Sequence, residues 1–178
     1  MAKPLMSPDD LEAADDWDGA LRARLREQEA SPSDKNVLVK LAFLCWYVLA
    51  EWGCLSTKGL DEREYTRTLR SVSSVLLSRF ADDADVSWLL GYTMSLFPWE
   101  FGSDVPDAER RARELLEEAH RLRPDDPVVA LVLFANRHDT GDEYWRACEA
   151  ARPQLARRFP GHGAMDTYFR QVLDRRRQ

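Results

Sequence analysis

Val37-Leu38-Val39-Lys40-Leu41-Ala42-Phe43-Leu44-Cys45-Trp46-Tyr47-Val48-Leu49-Ala50-Glu51-Trp52 is apolar almost all round. Wound as a helix from Lys35, it has no wide polar stripe to turn to water, so neighbours must cover it on several sides. That places it at the centre of the core. Ser-Pro-Ser at 31–33 precedes it, Asp34 can accept from the free amides of its first turn, and Gly53 stops it. Its longest unbroken apolar run, Leu41 to Ala50, has ten residues, where a membrane-spanning helix needs about 20.

Upstream, Ser7, Pro8 and Asp10 supply a capping side chain, a proline at the first helical position and an acidic first turn. Leu11, Ala14, Leu21 and Leu25 follow at helical spacing, which predicts one helix over 8–29. Downstream, Asp61 and Glu64 stand three apart, the spacing of a reciprocal cap, and Leu69, Val72, Leu76 and Phe80 line one face of the helix they open. Ala-Asp-Asp-Ala-Asp at 81–85 breaks the chain before a helix over 86–97, which carries Trp88, Leu89 and Tyr92 and ends at Pro98. Pro106 opens a fifth helix, with Ala112, Leu115, Leu116, Ala119 and Leu122 at spacings of three and four, and Asp126-Pro127 opens a sixth. From Asp142 to Phe159 the pattern is helical but interrupted by Pro153, which predicts a kink or a division. A last helix is expected from Met165 to about Arg175. With no alternating segment of strand length between hairpin turns, the expectation is an all-α fold of about seven to nine helices in antiparallel pairs.

With 178 residues, 44% hydrophobic and 31% charged, the chain can bury one substantial core and is short for two. Residues 1–178 are therefore expected to form a single helical domain, with fraying confined to 1–6 and 176–178. Twenty-five Lys and Arg against 31 Asp and Glu leave a net charge of −6. That argues against a general nucleic-acid binder and favours a basic protein partner. The acidic N-terminus lacks the basic and apolar regions of a signal peptide, and Cys45, Cys54 and Cys148 form neither a CxxC pair nor a zinc pattern. Both features suit a cytoplasmic, reducing location, away from any membrane.

A shift of 43 residues lays Pro124-Asp125-Asp126-Pro127 over Ala81-Asp82-Asp83-Ala84, and Leu133 over Leu90, as a helical repeat would. The segment Ala112-Arg113-Glu114-Leu115-Leu116-Glu117-Glu118-Ala119-His120-Arg121-Leu122-Arg123-Pro124 resembles the second helix of a tetratricopeptide repeat. Ala112, Leu116, Ala119 and Pro124 stand at that family's small, large, small and proline positions. Leu90-Gly91-Tyr92 resembles the first helix of such a unit, although Pro98 to Val105 makes a longer connection, and Phe134 and Arg137 depart from the pattern in the next helix. The resemblance covers roughly 85–136 and implies a tetratricopeptide-like array of helix pairs, in which small residues admit close approach. The layout as a whole is similar to small bacterial immunity proteins that neutralise toxins of contact-dependent or polymorphic systems. The features that carry this likeness are an acidic chain, an apolar Trp-Tyr helix followed by Glu51, and Leu90-Gly91-Tyr92 leading to Phe97-Pro98-Trp99-Glu100-Phe101-Gly102. It implies a class of function and no particular site.

His120, His138 and His162 are scattered, with no HExxH pair and no spacing suited to a metal. His120 is expected on a helix surface, and a turn role is favoured for His138-Asp139, which lacks a nucleophile beside it. Gly59, Gly91 and Gly102 stand alone, without a phosphate loop. No catalytic, cofactor-binding or metal-ligating residue is assigned. Glu51 reads either as a buried carboxyl with a raised pKa or as one salt-linked to an arginine, the second being favoured. Phe97, Trp99 and Phe101 alternate along a proline-containing connection; packing beneath it is favoured over presentation to a partner. Tyr144 and Trp145 share that ambiguity. Asp9, Asp10, Glu12, Asp15, Asp16 and Asp18 against Lys3 give residues 1–20 a net charge of −5, which suits either a solvated helix N-terminus or an acidic contact surface. Arg175-Arg176-Arg177 could bind something acidic, but exposed helix C-terminal charge or a frayed end is favoured.

The expected function is a non-catalytic protein-binding module without a cofactor. More narrowly, it is an immunity-like inhibitor whose acidic face meets a basic toxin domain. Its contact residues would be Asp9, Asp10, Asp15, Asp16, Asp82, Asp83, Asp85, Trp99 and Glu100. A scaffold or adaptor holding a peptide in a helical groove is the first alternative. The second is a helical enzyme with Glu51, His120 or His138 in a deep polar pocket.

Overall fold

The computed structural model describes residues 6–102, 104–137 and 141–176. Among the described residues are nine α-helices and no strand: α1 Pro8–Ala13, α2 Trp17–Ala30, α3 Lys35–Ala50, α4 Glu62–Arg79, α5 Ala84–Leu96, α6 Val105–Leu122, α7 Pro127–Asn136, α8 Asp142–Arg158 and α9 Ala164–Val172, with a 3-10 turn, Pro98–Phe101, between α5 and α6. Met6 and Arg176 apart, the segments expected to fray lie outside the described residues, as do His138 and Asp139.

Three helices start the same way, because an aspartate ahead of each accepts from two otherwise unpaired amides. Asp34 takes Asn36 and Val37 at 2.8 and 3.4 Å, Asp83 takes Asp85 and Val86 at 2.9 and 3.2 Å, and Asp126 takes Val128 and Val129 at 3.0 and 3.2 Å. The equivalence read between Asp83 and Asp126 thus extends back to Asp34. Each capped helix packs on the one that follows it: α3 on α4, α5 on α6, α7 on α8. In the second pair Gly91 is what permits the approach, since a Cβ there would lie 2.8 Å from Leu116 Cγ and 2.9 Å from the Ala112 carbonyl oxygen.

The all-round apolar helix is indeed the centre. Leu38, Leu41, Phe43, Leu44, Trp46 and Val48 of α3 are buried, with α2, α4, α5 and α9 around them. Two buried polar tips find backbone carbonyls: Trp46 Nε1 donates to Thr93 at 3.1 Å and the Tyr65 hydroxyl to Trp17 at 2.9 Å. Helix α9 lies across α3 and α5, where Tyr168 stacks edge-on to Trp46 and Tyr47, and Phe169 meets Phe43, Trp88, Tyr92 and Phe159.

Three local expectations change. The helix predicted over 8–29 is two, because Asp15 adopts a left-handed backbone (φ 57°) and Asp16 caps a new start through the Gly19 amide at 3.0 Å. Gly19 leaves room for that carboxylate: a Cβ would fall 2.4 Å from Asp16 Oδ2. Pro153 does not divide α8, which runs unbroken from Asp142 to Arg158. Pro153 and Glu149 are both exposed, so the carbonyl left without its amide donor meets water. The reciprocal cap is half made. Asp61 accepts from the Arg63 amide at 3.0 Å, while Glu64 instead takes a bidentate bond from Arg22 at 2.5 and 2.6 Å.

Candidate functional site

The acidic residues singled out from sequence fall in three places, and most are already engaged within the chain. Asp9 and Asp10 lie on α1 at the junction with α9. Asp9 pairs with Arg24 and with Lys40, the latter at 2.9 Å. Burial pushes its carboxyl pKa up, but the bonds from Lys40 and Arg24 outweigh this and hold it below 3.8. Asp10 closes a capping box with Ser7 and lies 2.9 Å from His162 Nε2; the Ser7 hydroxyl, then His162, lower its pKa. Beneath them sits a buried pair that sequence reading passed over: Glu12 and Arg24, whose side chains are 3% and 4% exposed and bonded at 2.8 and 2.9 Å. Burial raises the Glu12 pKa against the pull of Arg24 and the Ala164 amide. The signal was present, since Trp17, Ala20, Leu21 and Arg24 follow the i, i+3, i+4, i+7 spacing of one buried helix face. Asp15 and Asp16 occupy the α1–α2 corner, Asp16 as a cap and Asp15 exposed, with no ion pair among the described residues.

Asp83 and Asp85 belong to a cluster where the starts of α3 and α5 meet the ends of α6 and α8. Lys35 Nζ lies 2.8 Å from Asp83, Arg123 is bidentate to Asp85 at 2.8 and 3.0 Å, and Arg158 reaches Asp85 at 2.9 Å and also bonds Asp126. Lys35, Asp85, Arg123 and Arg158 line a cavity of about 330 Å³ together with Trp88, over which the Arg158 guanidinium sits at 5.4 Å. Each of these cations has a carboxylate. Asp82, next door, is exposed and has no ion pair among the described residues.

Trp99 and Glu100 form the third place, the 3-10 turn between α5 and α6. Trp99 is 53% exposed, whereas Phe97 and Phe101 are half-buried against the core, so the aromatic trio divides between the two expected roles. Tyr144 and Trp145, 5.0 Å apart, are half-buried against the core. The turn is held from α4: Arg70 Nε donates to the Glu100 carbonyl at 2.8 Å, its Nη2 to the Trp99 carbonyl at 3.2 Å, and the Thr66 hydroxyl to the Glu100 carboxylate at 3.1 Å. Gly102, in the left-handed region (φ 81°), closes the turn beside Arg70, where a Cβ would lie 3.3 Å from Nε. On either side of Trp99 stand two more exposed apolar side chains, Leu96 at 45% and Val105 at 41%, which sequence reading did not single out. Periodicity could not find them, because both lie at helix ends where the buried face is set by the turn.

Of the residues named for an enzymatic reading, His138 lies outside the described residues, and Glu51 and His120 have different surroundings. Glu51 follows α3 near Tyr47 and Tyr168, and the expected salt link to an arginine is absent among the described residues. His120 is half-buried on α6, its ring 6.5 Å from that of Phe134, instead of lying free on the surface. Cys45, Cys54 and Cys148 are free thiols, and burial raises the pKa of Cys45 and Cys148. Among the described residues no group of three or more His, Cys, Asp or Glu is placed to hold a metal ion, and no helix is long and apolar enough to cross a membrane. A scan against protein-family models finds no match, and searches of curated proteins and of solved structures find none either.

Proposed function

We propose that this chain is a non-catalytic protein-binding module whose contact surface centres on Trp99. The observation that carries the reading is the run of exposed apolar side chains from the end of α5 to the start of α6: Leu96, Trp99 and Val105. Exposed apolar side chains gathered in a small region are a feature of protein interaction sites. Tryptophan is the residue most enriched at interface hot spots, and a turn anchored by Arg70 and Thr66 presents it with little ordering cost. The close approach of α5 and α6 at Gly91 supports an array scaffold, and α9 sets its aromatic side chains against α3 and α5. The test compares proteins captured from the native source by the wild type and by the Leu96→Ala, Trp99→Ala double variant. One partner retained by the first at a defined stoichiometry, binding at least tenfold more weakly to the second with purified components, supports the reading. Equal capture by both rejects it.

The narrower reading, neutralisation of a basic toxin domain, draws on the net charge of −6 and on Asp15 and Asp82, which are exposed and outside the internal ion pairs. Rescue of growth on co-expression with a neighbouring gene's toxic product, lost with Asp15→Lys and Asp82→Lys together, is its test.

A further inference from the structure

We infer that the Trp99 surface receives an acidic segment of a protein partner, whose carboxylates lie along the adjoining face of α4. This rests on Trp99 being a contact residue, and adds the chemistry of what meets it. The exposed trio Leu96, Trp99 and Val105 offers an apolar anchor point without setting a charge preference. Its surroundings set one. Thr66 and Arg70 of α4, which hold the 3-10 turn, share a groove of about 520 Å³ with Arg63 and Arg67.

Arg63, Arg67 and Arg70 follow the i, i+4, i+7 spacing of one helix face and extend over about 10 Å. All three are exposed, and none forms an ion pair among the described residues. Two acids close to them are engaged elsewhere: Glu64 is bidentate to Arg22, and Glu100 accepts from Thr66. Glu62, at the start of α4, is the acid that shares the groove. Exposed arginines alone would be an ordinary solvated face. These three stand in a chain with 31 acids against 25 Lys and Arg, where Arg22, Arg121 and Arg137 each find a carboxylate. They also adjoin the exposed apolar trio, through the bond from Arg70 to the Trp99 carbonyl. An apolar centre flanked by unanswered positive charge complements a large apolar side chain flanked by carboxylates, and it repels a basic segment. Each guanidinium can take a carboxylate bidentately, and the row matches an extended segment of about three or four residues. A nucleic acid fits less well, because the net charge of −6 opposes a phosphate backbone beyond the groove.

A random peptide library displayed on phage and selected on the folded chain is the test. Enriched sequences should combine Asp or Glu with a large apolar residue. A synthetic copy of one should bind roughly tenfold more weakly to the Arg63→Glu, Arg67→Glu double variant, and its binding should be lost with Leu96→Ala and Trp99→Ala together. Arg70 is left intact because it holds the turn, and thermal midpoints check that each variant is folded. Arg26→Glu with Arg157→Glu reverses two exposed arginines on α2 and α8. It makes the same change in net charge and should leave affinity within about twofold of wild type. Peptides that depend on Leu96 and Trp99 but carry no acids, or that bind the Arg63→Glu, Arg67→Glu variant equally well, overturn the inference and leave Trp99 as a contact residue. Acidic peptides indifferent to the Leu96→Ala, Trp99→Ala variant count against both. Absence of any enriched sequence, or tighter binding of an oligothymidylate than of any selected peptide, also overturns the inference, and the capture comparison then decides the role of Trp99 separately.

Discussion

The Glu12 carboxylate accepts a hydrogen bond from the Ala164 amide at 2.8 Å, so a side chain of the first helix caps the last one. Helix α9 has glycine at its N-cap and no capping side chain of its own. Glu12 supplies the missing acceptor from across the molecule, and Gly163 makes space, since a Cβ there would sit 2.7 Å from Glu12 Oε2. The other carboxylate oxygen takes Arg24, which also holds Asp9. Residues 152 apart in the chain are thereby tied through one buried carboxylate, which Arg24 holds in place.

Arg24→Met strands the Glu12 charge in the interior and should cost about 3–5 kcal/mol. Adding Glu12→Gln should recover part of that loss, because the uncompensated charge goes with it. Urea unfolding of the four members of the cycle measures the coupling; a single variant within ~0.5 kcal/mol of wild type would show that the pair contributes no net stability.

Gly91→Ala sets helix propensity against packing. Alanine is favoured in a helix by about 1 kcal/mol, yet the new methyl meets Leu116 Cγ and the Ala112 carbonyl oxygen, both inside 3 Å. Overpacking of this kind costs about 1–3 kcal/mol, so net destabilisation is expected, and the increment should be smaller in a Leu116→Ala background, which is itself less stable but removes one obstacle and leaves the backbone oxygen. Thermal midpoints of the two single variants and the double decide it; a rise in midpoint for Gly91→Ala alone refutes the close contact.

Acid sensitivity should pass through Asp83. Burial raises its carboxyl pKa, but Lys35 and the amides of Val86 and Asp85 outweigh this and hold it below 3.8. A depressed folded-state pKa gives stability that is present above 3.8 and lost as pH falls through the folded value. Asp83→Asn keeps an acceptor for the amides and loses the charge. It should be less stable near neutrality by roughly 0.5–1 kcal/mol and show a shallower decline below about pH 4. Asp9 acts with the same sign and Glu12 with the opposite one, so the acid limb is reduced and not removed. Equal slopes for variant and wild type would exclude Asp83 as a contributor.

Docking of α9 rests on Phe169, fully buried among Phe43, Trp88, Tyr92 and Phe159. Phe169→Ala should cost about 3–5 kcal/mol, and amides of α9 should then exchange faster than those of α3. Tyr168→Phe removes only the 2.7 Å bond to the Tyr92 hydroxyl and should cost about 1 kcal/mol. Uniform exchange across all helices in Phe169→Ala would mean that α9 does not open on its own.

Much of the fold was legible because helix starts and apolar faces are local. Asp34 and Asp126 announced two helices, the break at 81–85 announced a third without showing that Asp83 caps it, and α3 announced its central position by having no polar side. The break at Asp15 was harder to read, since Leu11, Ala14, Leu21 and Leu25 keep helical spacing through it, and the cap that ends the register depends on Gly19 having no Cβ.

Charge roles were decided elsewhere. The same aspartate types stand at 9, 15, 82 and 83, yet Asp9 and Asp83 are spent on Lys40 and Lys35 while Asp15 and Asp82 are not. Hydrophobic burial follows composition and spacing along one helix, so the chain alone determined most of the helices and which one is innermost. Ion pairing falls off over a few ångströms between residues far apart in sequence, so only the packed arrangement decided which acids are spent inside, which arginines keep an unanswered charge, and that Trp99 faces outward.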